Sequence, residues 1–439
     1  MKTVLFVTVG GSPQPIVTAI QTLSPDRVIF ICSDGPRGSL SQVTGQGSPC
    51  EVRKGSEVVE KLPNIPTQAG LRDFDPEQDV VLVQDPDDFA ECYATITRKM
   101  AQISAAETGL TLAADYTGGT KTMSVTLALA ALDYGAKLML TTGNRRDLIR
   151  VDRGEMTEQA SVAPVVVQRV LEQDLPTMVA DYNYAAALQK LRQLRVNQDT
   201  SPATRQTIRQ FYDLCSALDA WDRFDHLEAW AYLEPLMKQK WIQPLGLFLK
   251  RVMDSRSKID PDFDGSLGSP GHGYEIVEDL LLNAERRASQ CRFDDAVGRV
   301  YRALELLAQI HLKLSYDITT GDVDPNKLPE AIRPQFQSQF QREGKIELPL
   351  RKSYNLLGQL PGDPLGELFQ ERQSLIADAL QVRNYSLFAH GFKPITQSDY
   401  QKIQGSLVAF IREGLQWLTK DRKKSQAPQF PQHFLFDQP

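Results

Sequence analysis

The sequence predicts an α/β domain followed by an all-α remainder: a mostly parallel sheet first, then helices to the end. Three observations predict this. Up to about residue 160, short β-branched apolar runs alternate with helical segments. From about Val170 those runs stop, and Leu, Ala, Tyr and Trp recur at helical spacing. Two glycine-containing loops fall at the C-terminal ends of strands, directly before helices. A chain of 439 residues exceeds one ordinary core, so about two or three domains are expected.

The α/β elements follow in order. Thr3–Val9 is a continuous apolar run, as for a strand buried on both faces. A signal peptide is the competing reading, but the run is short, ends in Gly10-Gly11-Ser12-Pro13 and has no cleavage pattern. Pro13–Thr22 reads as a helix with Pro15 in its first turn. Arg27–Cys32 and Val80–Val83 are the next strands, and Phe89–Ala106 is a helix. Leu110–Ala114 is a strand leading into Asp115–Lys121, then come helix Thr122–Tyr134 and strand Ala136–Thr141. This alternation implies parallel strands with right-handed crossovers.

Composition narrows the function. Hydrophobic residues make up 41% and charged residues 24%, as in an ordinary globular protein. The formal net charge of -6 argues against a protein that coats nucleic acid non-specifically, which needs excess Lys and Arg. Cys32, Cys50, Cys92, Cys215 and Cys291 are scattered and read as free thiols of a cytoplasmic protein. With five dispersed histidines, no zinc-site spacing appears, so no metal is expected. No apolar run approaches a membrane span.

In an open parallel sheet, ligands bind at the carboxyl ends of the strands, where glycines admit a phosphate or ribose and helix N-termini offer N–H groups. Gly10, Gly11 and Ser12 form one such loop, and Thr117, Gly118, Gly119, Thr120 and Lys121 lie in the other. Asn144, in Gly143–Arg146, lies at the same edge; a solvated turn is the alternative. The pocket reads as one for a nucleotide or oligonucleotide, against glycines that serve only tight turns. Neither a complete P-loop nor a dinucleotide fingerprint is present, which disfavours a dehydrogenase.

In the helical part, Tyr182–Arg195, Thr204–Leu218, Phe224–Leu236 and Leu245–Met253 carry apolar stripes. Asp260–Gly273 is a linker, with His272 a solvated loop residue. Tyr274–Gln290 and Asp294–Leu314 are strong helices, and Arg299, Arg302 and Glu305 in the second read as an i,i+3 charge set on a solvated face or as groups orienting a partner. Asp317–Leu348 is a polar insertion, and Leu365–His390 and Gln401–Leu418 are further helices. The chain divides as 1–168, 169–273 and 274–420, with 421–439 a loose or docking tail.

Leu365–His390 carries Arg383, Asn384 and His390, followed by Gly391 as a left-handed cap. Arg383 and His390 are seven positions apart, which on a continuous helix places them on one face roughly 10 Å apart. A surface arginine with a capping histidine is the bland reading. The chemical one is metal-free RNA cleavage: RNA brings its own 2′-hydroxyl nucleophile, histidine supplies an acid or base near neutral pH, and arginine meets the charge building on phosphate. Two copies in a symmetric dimer would complete the set.

Val-Thr-Val-Gly-Gly-Ser-Pro-Gln-Pro-Ile and Asp-Tyr-Thr-Gly-Gly-Thr-Lys-Thr-Met resemble the CRISPR-associated Rossmann fold, CARF. Arg-Asn-Tyr-Ser-Leu-Phe-Ala-His resembles the Arg-(four to six residues)-His motif of HEPN ribonucleases, and Phe293–Leu307 the helix packed beside it. Together they resemble the stand-alone accessory ribonucleases of type III CRISPR systems. The resemblance implies a CARF sensor (1–168), a helical linker domain (169–273) and a HEPN domain (274–420). It implies a cytoplasmic homodimer that binds cyclic oligoadenylate as activator and cuts single-stranded RNA without metal through Arg383 and His390, with Asn384 positioning. Some relatives also degrade the messenger; Ser12 and Lys121 are where that would be tested. A sensor whose helical domain binds without cutting, and a nucleotide-dependent metabolic enzyme, are the alternatives.

Overall fold

The computed structural model describes residues 2–36, 38–54, 57–107, 109–142, 145–147, 150–151, 156–159, 163–194, 201–334, 336–338, 346–386, 391–420 and 427–436. It divides into two compact units, essentially residues 1–168 and residues 169 onward. The expected α/β-then-helical architecture is present.

The first unit is built on six strands: β1 (Thr3–Thr8), β2 (Arg27–Ser33), β3 (Val80–Val83), β4 (Thr111–Asp115), β5 (Lys137–Thr142) and β6 (Met156–Gln159). Their order is β6-β5-β4-β1-β2-β3, all parallel except β6, which pairs antiparallel with β5. Helices α1 (Gln14–Leu23), α2 (Phe89–Ala106) and α3 (Lys121–Asp133) connect them. The order reverses between β1 and β4, which pair from Thr3↔Thr111 to Val7↔Asp115. That is the doubly wound pattern, and it puts the switch point beside the loops after these two strands.

The period of two explains why β1 is apolar from Val4 to Val7. Val4 and Phe6 face a core with Cys92, Ile96 and Met100 of α2 and Met123 and Leu127 of α3. Leu5 and Val7 face the other core, with Ile16, Val17 and Ile20 of α1. Each such buried side chain contributes about 1.5–3 kcal/mol. The described cysteines are all free, four of them buried, and burial pushes the Cys32 thiol up to about 12.

The second unit is helical: α4 (Pro202–Asp222), α5 (His226–Leu233), α6 (Gln243–Ser257), α7 (Glu275–Ser289), α8 (Phe293–Tyr316), α9 (Leu350–Leu357), α10 (Pro364–Asn384) and α11 (Ala409–Leu418) are its main elements. Asp294 and Asp295 open α8, as the helix dipole favours. Tyr354 of α9 donates its hydroxyl to the Leu304 carbonyl of α8 at 2.8 Å and stacks on Phe369 of α10 at 4.8 Å. No described helix is long and apolar enough to cross a membrane.

Two sequence expectations change here, and the tail takes the docking alternative. His272 is buried rather than solvated: its Nδ1 accepts the Tyr274 N–H at 3.1 Å and its Nε2 lies 3.2 Å from Glu278. The insertion after α8 is not merely polar, since Ile318, Val323, Leu328, Ile346 and Leu348 are buried. Of the tail, residues 427–436 dock. The Phe430 ring lies 3.6 Å beneath the guanidinium of buried Arg286 and 4.9 Å from Trp221, and Phe434 and Phe436 pack on Phe211.

Candidate functional site

The two glycine loops of the sheet domain touch backbone to backbone. Thr8 Oγ1 donates to the Gly118 carbonyl at 2.6 Å. A Cβ at Gly118 would lie 2.3 Å from the Thr8 carbonyl oxygen, and one at Gly10 would lie 2.6 Å from the Gly119 nitrogen. Gly119 itself sits at φ 82°, a region that strongly favours glycine. These glycines therefore serve a loop–loop contact at the switch point, not only turns. Gly11, by contrast, has nothing within 4 Å of an added Cβ, and Gly11, Ser12 and Lys121 are exposed.

The threonines belong to the scaffold. Thr120 caps α3, its Oγ1 accepting the Met123 N–H at 3.2 Å while donating to the Pro86 carbonyl at 2.6 Å. The cap leaves the N–H groups of Lys121 and Thr122 without intrahelical acceptors. Thr117 Oγ1 accepts the Thr141 N–H at 2.8 Å. Buried Asp115 accepts from the Thr117 N–H at 2.9 Å and from the Thr141 hydroxyl at 2.9 Å. Burial pushes its carboxyl above the usual range, and those hydrogen bonds only partly offset it. Gln42, which nothing in the sequence signals, donates to the Gly10 carbonyl at 2.6 Å. Asn144 lies outside the described residues.

In the helical unit, α10 is pinned to α8 at both ends. Asp363 caps its start: Oδ1 accepts the Gly366 N–H at 2.7 Å, and Oδ2 lies 2.6 Å from His311 Nε2 and 2.8 Å from the Tyr316 hydroxyl. At the other end the Arg383 guanidinium lies 4.1 Å from the centre of the Tyr301 ring. Arg383 is half-buried, and its Nε is buried with no hydrogen-bond partner among the described residues. Tyr301 is the residue that sequence reasoning missed; only its place in the helix beside the motif hinted at it.

The helix does not run to His390 as expected. It ends at Asn384, which is exposed. The Ser386 N–H and hydroxyl both turn back onto the Arg383 carbonyl, at 2.9 and 2.8 Å. The Gly391 N–H donates to the Ser386 carbonyl at 3.2 Å and the Lys393 N–H to the Tyr385 carbonyl at 3.0 Å, so Gly391 and Lys393 return to the helix end. Gly391 is not a left-handed cap. It is glycine because a Cβ would lie 2.1 Å from the Tyr385 carbonyl oxygen. His390 lies outside the described residues, and the single-helix argument for its facing Arg383 does not hold. Tyr385 and Phe392 beside the helix end are 64% and 90% exposed.

The charge set on α8 separates. Arg302 pairs with Glu305 at 2.6 Å on the exposed side. Arg299 is more buried, lies 3.6 Å from Asp295, and is pulled below its ordinary pKa, first by burial.

Residues 270–413 match the family model of the Csm6 HEPN domain. Arg383, Asn384 and His390 fall inside that span. The fold of the chain is similar to that of Enterococcus italicus Csm6 bound to cyclic hexa-2′-fluoro-hexa-dAMP, with a TM-score of 0.54 at 12% identity, covering 97% of this chain and 96% of that one. No curated protein matches the chain.

Proposed function

From the match of residues 270–413 to the Csm6 HEPN domain and the fold likeness to a cyclic-oligoadenylate-bound Csm6, we propose that the chain is a CARF–HEPN accessory protein of the type III CRISPR systems, an endoribonuclease switched on by cyclic oligoadenylate. It cleaves single-stranded RNA, acts in the cytoplasm and works as a homodimer. Residues 1–168 sense the messenger, 169–273 link, and 274–420 cut. The observation that carries this reading is Arg383, laid on Tyr301 at the end of α10 with an unpartnered donor, inside the span that matches the HEPN domain.

The substrate's 2′-oxygen attacks the adjacent phosphorus, and the bond from phosphorus to the 5′-oxygen breaks. The products are a 2′,3′-cyclic phosphate and a 5′-hydroxyl. His390 takes the 2′ proton or returns one to the 5′-oxygen. Arg383 meets the charge that builds on the phosphoryl oxygens, and Asn384 positions the phosphate. No redox change occurs, and the reaction as written needs no metal. The exposed rings of Tyr385 and Phe392 support a second copy meeting this face, which would bring two arginines and two histidines to one phosphate. Gly10, Gly11, Ser12, Thr117, Gly118, Gly119, Thr120, Lys121 and Asn144 form the messenger pocket. In it the exposed Gly11, Ser12 and Lys121 and the start of α3 meet phosphates, and the threonines hold the loops.

The test is cleavage of single-stranded RNA in EDTA, with cyclic oligoadenylates of several ring sizes. Messenger-dependent cutting that leaves cyclic phosphate ends, and is lost in His390→Ala, is expected. Intact RNA throughout, or unchanged cutting by His390→Ala, overturns the reading. Messenger binding with no cutting would mark a pure sensor.

A further inference from the structure

The helical unit contains a cavity of about 600 Å³, within the range of small-molecule sites. Its floor is apolar, with Phe224, Ile276, Leu280 and Leu306. Arg256, Arg299 and Arg302 line it with Asp260 and Asp295. Arg256 is committed to Asp260 at 2.9 Å. Arg299 is not so well matched. Its Nη1 donates to the Asp295 carbonyl at 3.0 Å and lies 3.6 Å from the Asp295 carboxylate, but its Nε is buried with no acceptor among the described residues. Arg302 is half exposed at the rim, where its pair with Glu305 at 2.6 Å is a surface ion pair of little strength that a phosphate can displace.

Gly298 also lines this cavity, in the interior of α8. A glycine there costs about 1 kcal/mol relative to alanine. Nothing in the packing asks for it, because an added Cβ would meet nothing within 4 Å. The glycine leaves that part of the cavity wall without a side chain. An apolar-floored cavity, a buried guanidinium Nε without an acceptor and a bare helix wall beside it suit a planar ligand that carries an anion.

We propose that this cavity binds one nucleoside monophosphate unit, its base on the apolar floor and its phosphate on Arg299 and Arg302. Bidentate pairing with phosphate suits guanidinium, and the flat base suits the Phe224 side. The unit comes either from a free nucleotide or from RNA. Arg302 directly follows Tyr301, the ring beneath Arg383, so α8 carries both a wall of the cavity and the ring that holds the cleavage arginine. The RNA source rests on the ribonuclease reading; the binding itself does not.

The experiment uses full-length His390→Ala protein, so cleavage does not enter. Calorimetric titration with each of the four 5′-nucleoside monophosphates, and with a uridine octamer, is compared with the same protein carrying Gly298→Leu or Arg302→Gln. Gly298→Leu fills the space and favours the helix, so a melting temperature that does not fall checks its fold. Arg302→Gln changes only a rim side chain. At least a tenfold loss of mononucleotide affinity in both variants is expected. A parallel loss for the octamer assigns the unit to RNA; an octamer unaffected assigns it to a free nucleotide. No saturable binding of any monophosphate, or equal affinity in all three proteins, overturns the proposal.

Discussion

At Arg383 a single ring decides how a flexible cation is presented. The Tyr301 contact restricts the guanidinium without using up its donors, as a carboxylate partner would. Tyr301→Phe keeps the ring and should retain cleavage within about threefold, whereas Tyr301→Ala should lose about tenfold. Arg383→Ala should lose about 10²–10³-fold. Single-turnover rates at saturating messenger check this series, and equal losses in Tyr301→Phe and Tyr301→Ala would point to the hydroxyl instead. Glycine positions allow a similar contrast. Gly118→Ala forces a Cβ to 2.3 Å from a carbonyl oxygen, whereas Gly11→Ala meets nothing. Gly118→Ala should weaken messenger binding by about tenfold or more and lower the melting temperature. Gly11→Ala should leave the melting temperature unchanged.

Among the elements, α10 matters most, because its two anchors on α8 place the motif. Burial pushes the Asp363 carboxyl up. The hydrogen bond and charge of His311, with the Gly366 N–H and the Tyr316 hydroxyl, outweigh it and hold the group below its ordinary value of 3.8. A carboxyl depressed on folding stabilises the fold above its unfolded pKa, and that stability is lost as pH falls through the lower, folded value. Asp363→Ala should therefore cost about 3 kcal/mol near neutral pH, with the difference from the parent shrinking on the acid side of 3.8. Urea unfolding at several pH values measures it. The extent of α10 was only partly legible. Its start is signalled by Asp363-Pro364, a capping residue before a first-turn proline. Its end was not, because Leu387 and Phe388 continue an apolar pattern past Asn384. What stops the helix is the Ser386 hydroxyl and N–H turning onto the Arg383 carbonyl, a local competition that periodicity does not register.

For the whole molecule, the proposal couples a messenger site in one unit to a cleavage site in the other, through a dimer. The apolar rings of Tyr385 and Phe392 lie largely in water in a single chain. Tyr385→Glu with Phe392→Glu should leave the monomer's fold intact. It should weaken dimerisation by about tenfold or more and reduce messenger-dependent cleavage with it. Sedimentation equilibrium checks the first and the RNA assay the second; a full-strength dimer would remove those rings from the interface.

The sequence by itself determined the class of each half. A strand buried on both faces is apolar on both, as β1 is from Val4 to Val7, and that burial is written directly in residue type. It also determined that glycines and an arginine stand at special places. Only the tertiary structure decided why. Gly118 is glycine because of a carbonyl 110 positions away at Thr8. Arg383 is presented by Tyr301 from another helix. His272 and residues 427–436, polar or loose by composition, are held because Glu278, Arg286 and Trp221 wait for them. Local patterns record what a residue prefers. They do not record which distant backbone or ring will come within contact distance, and there that contact chose the residue.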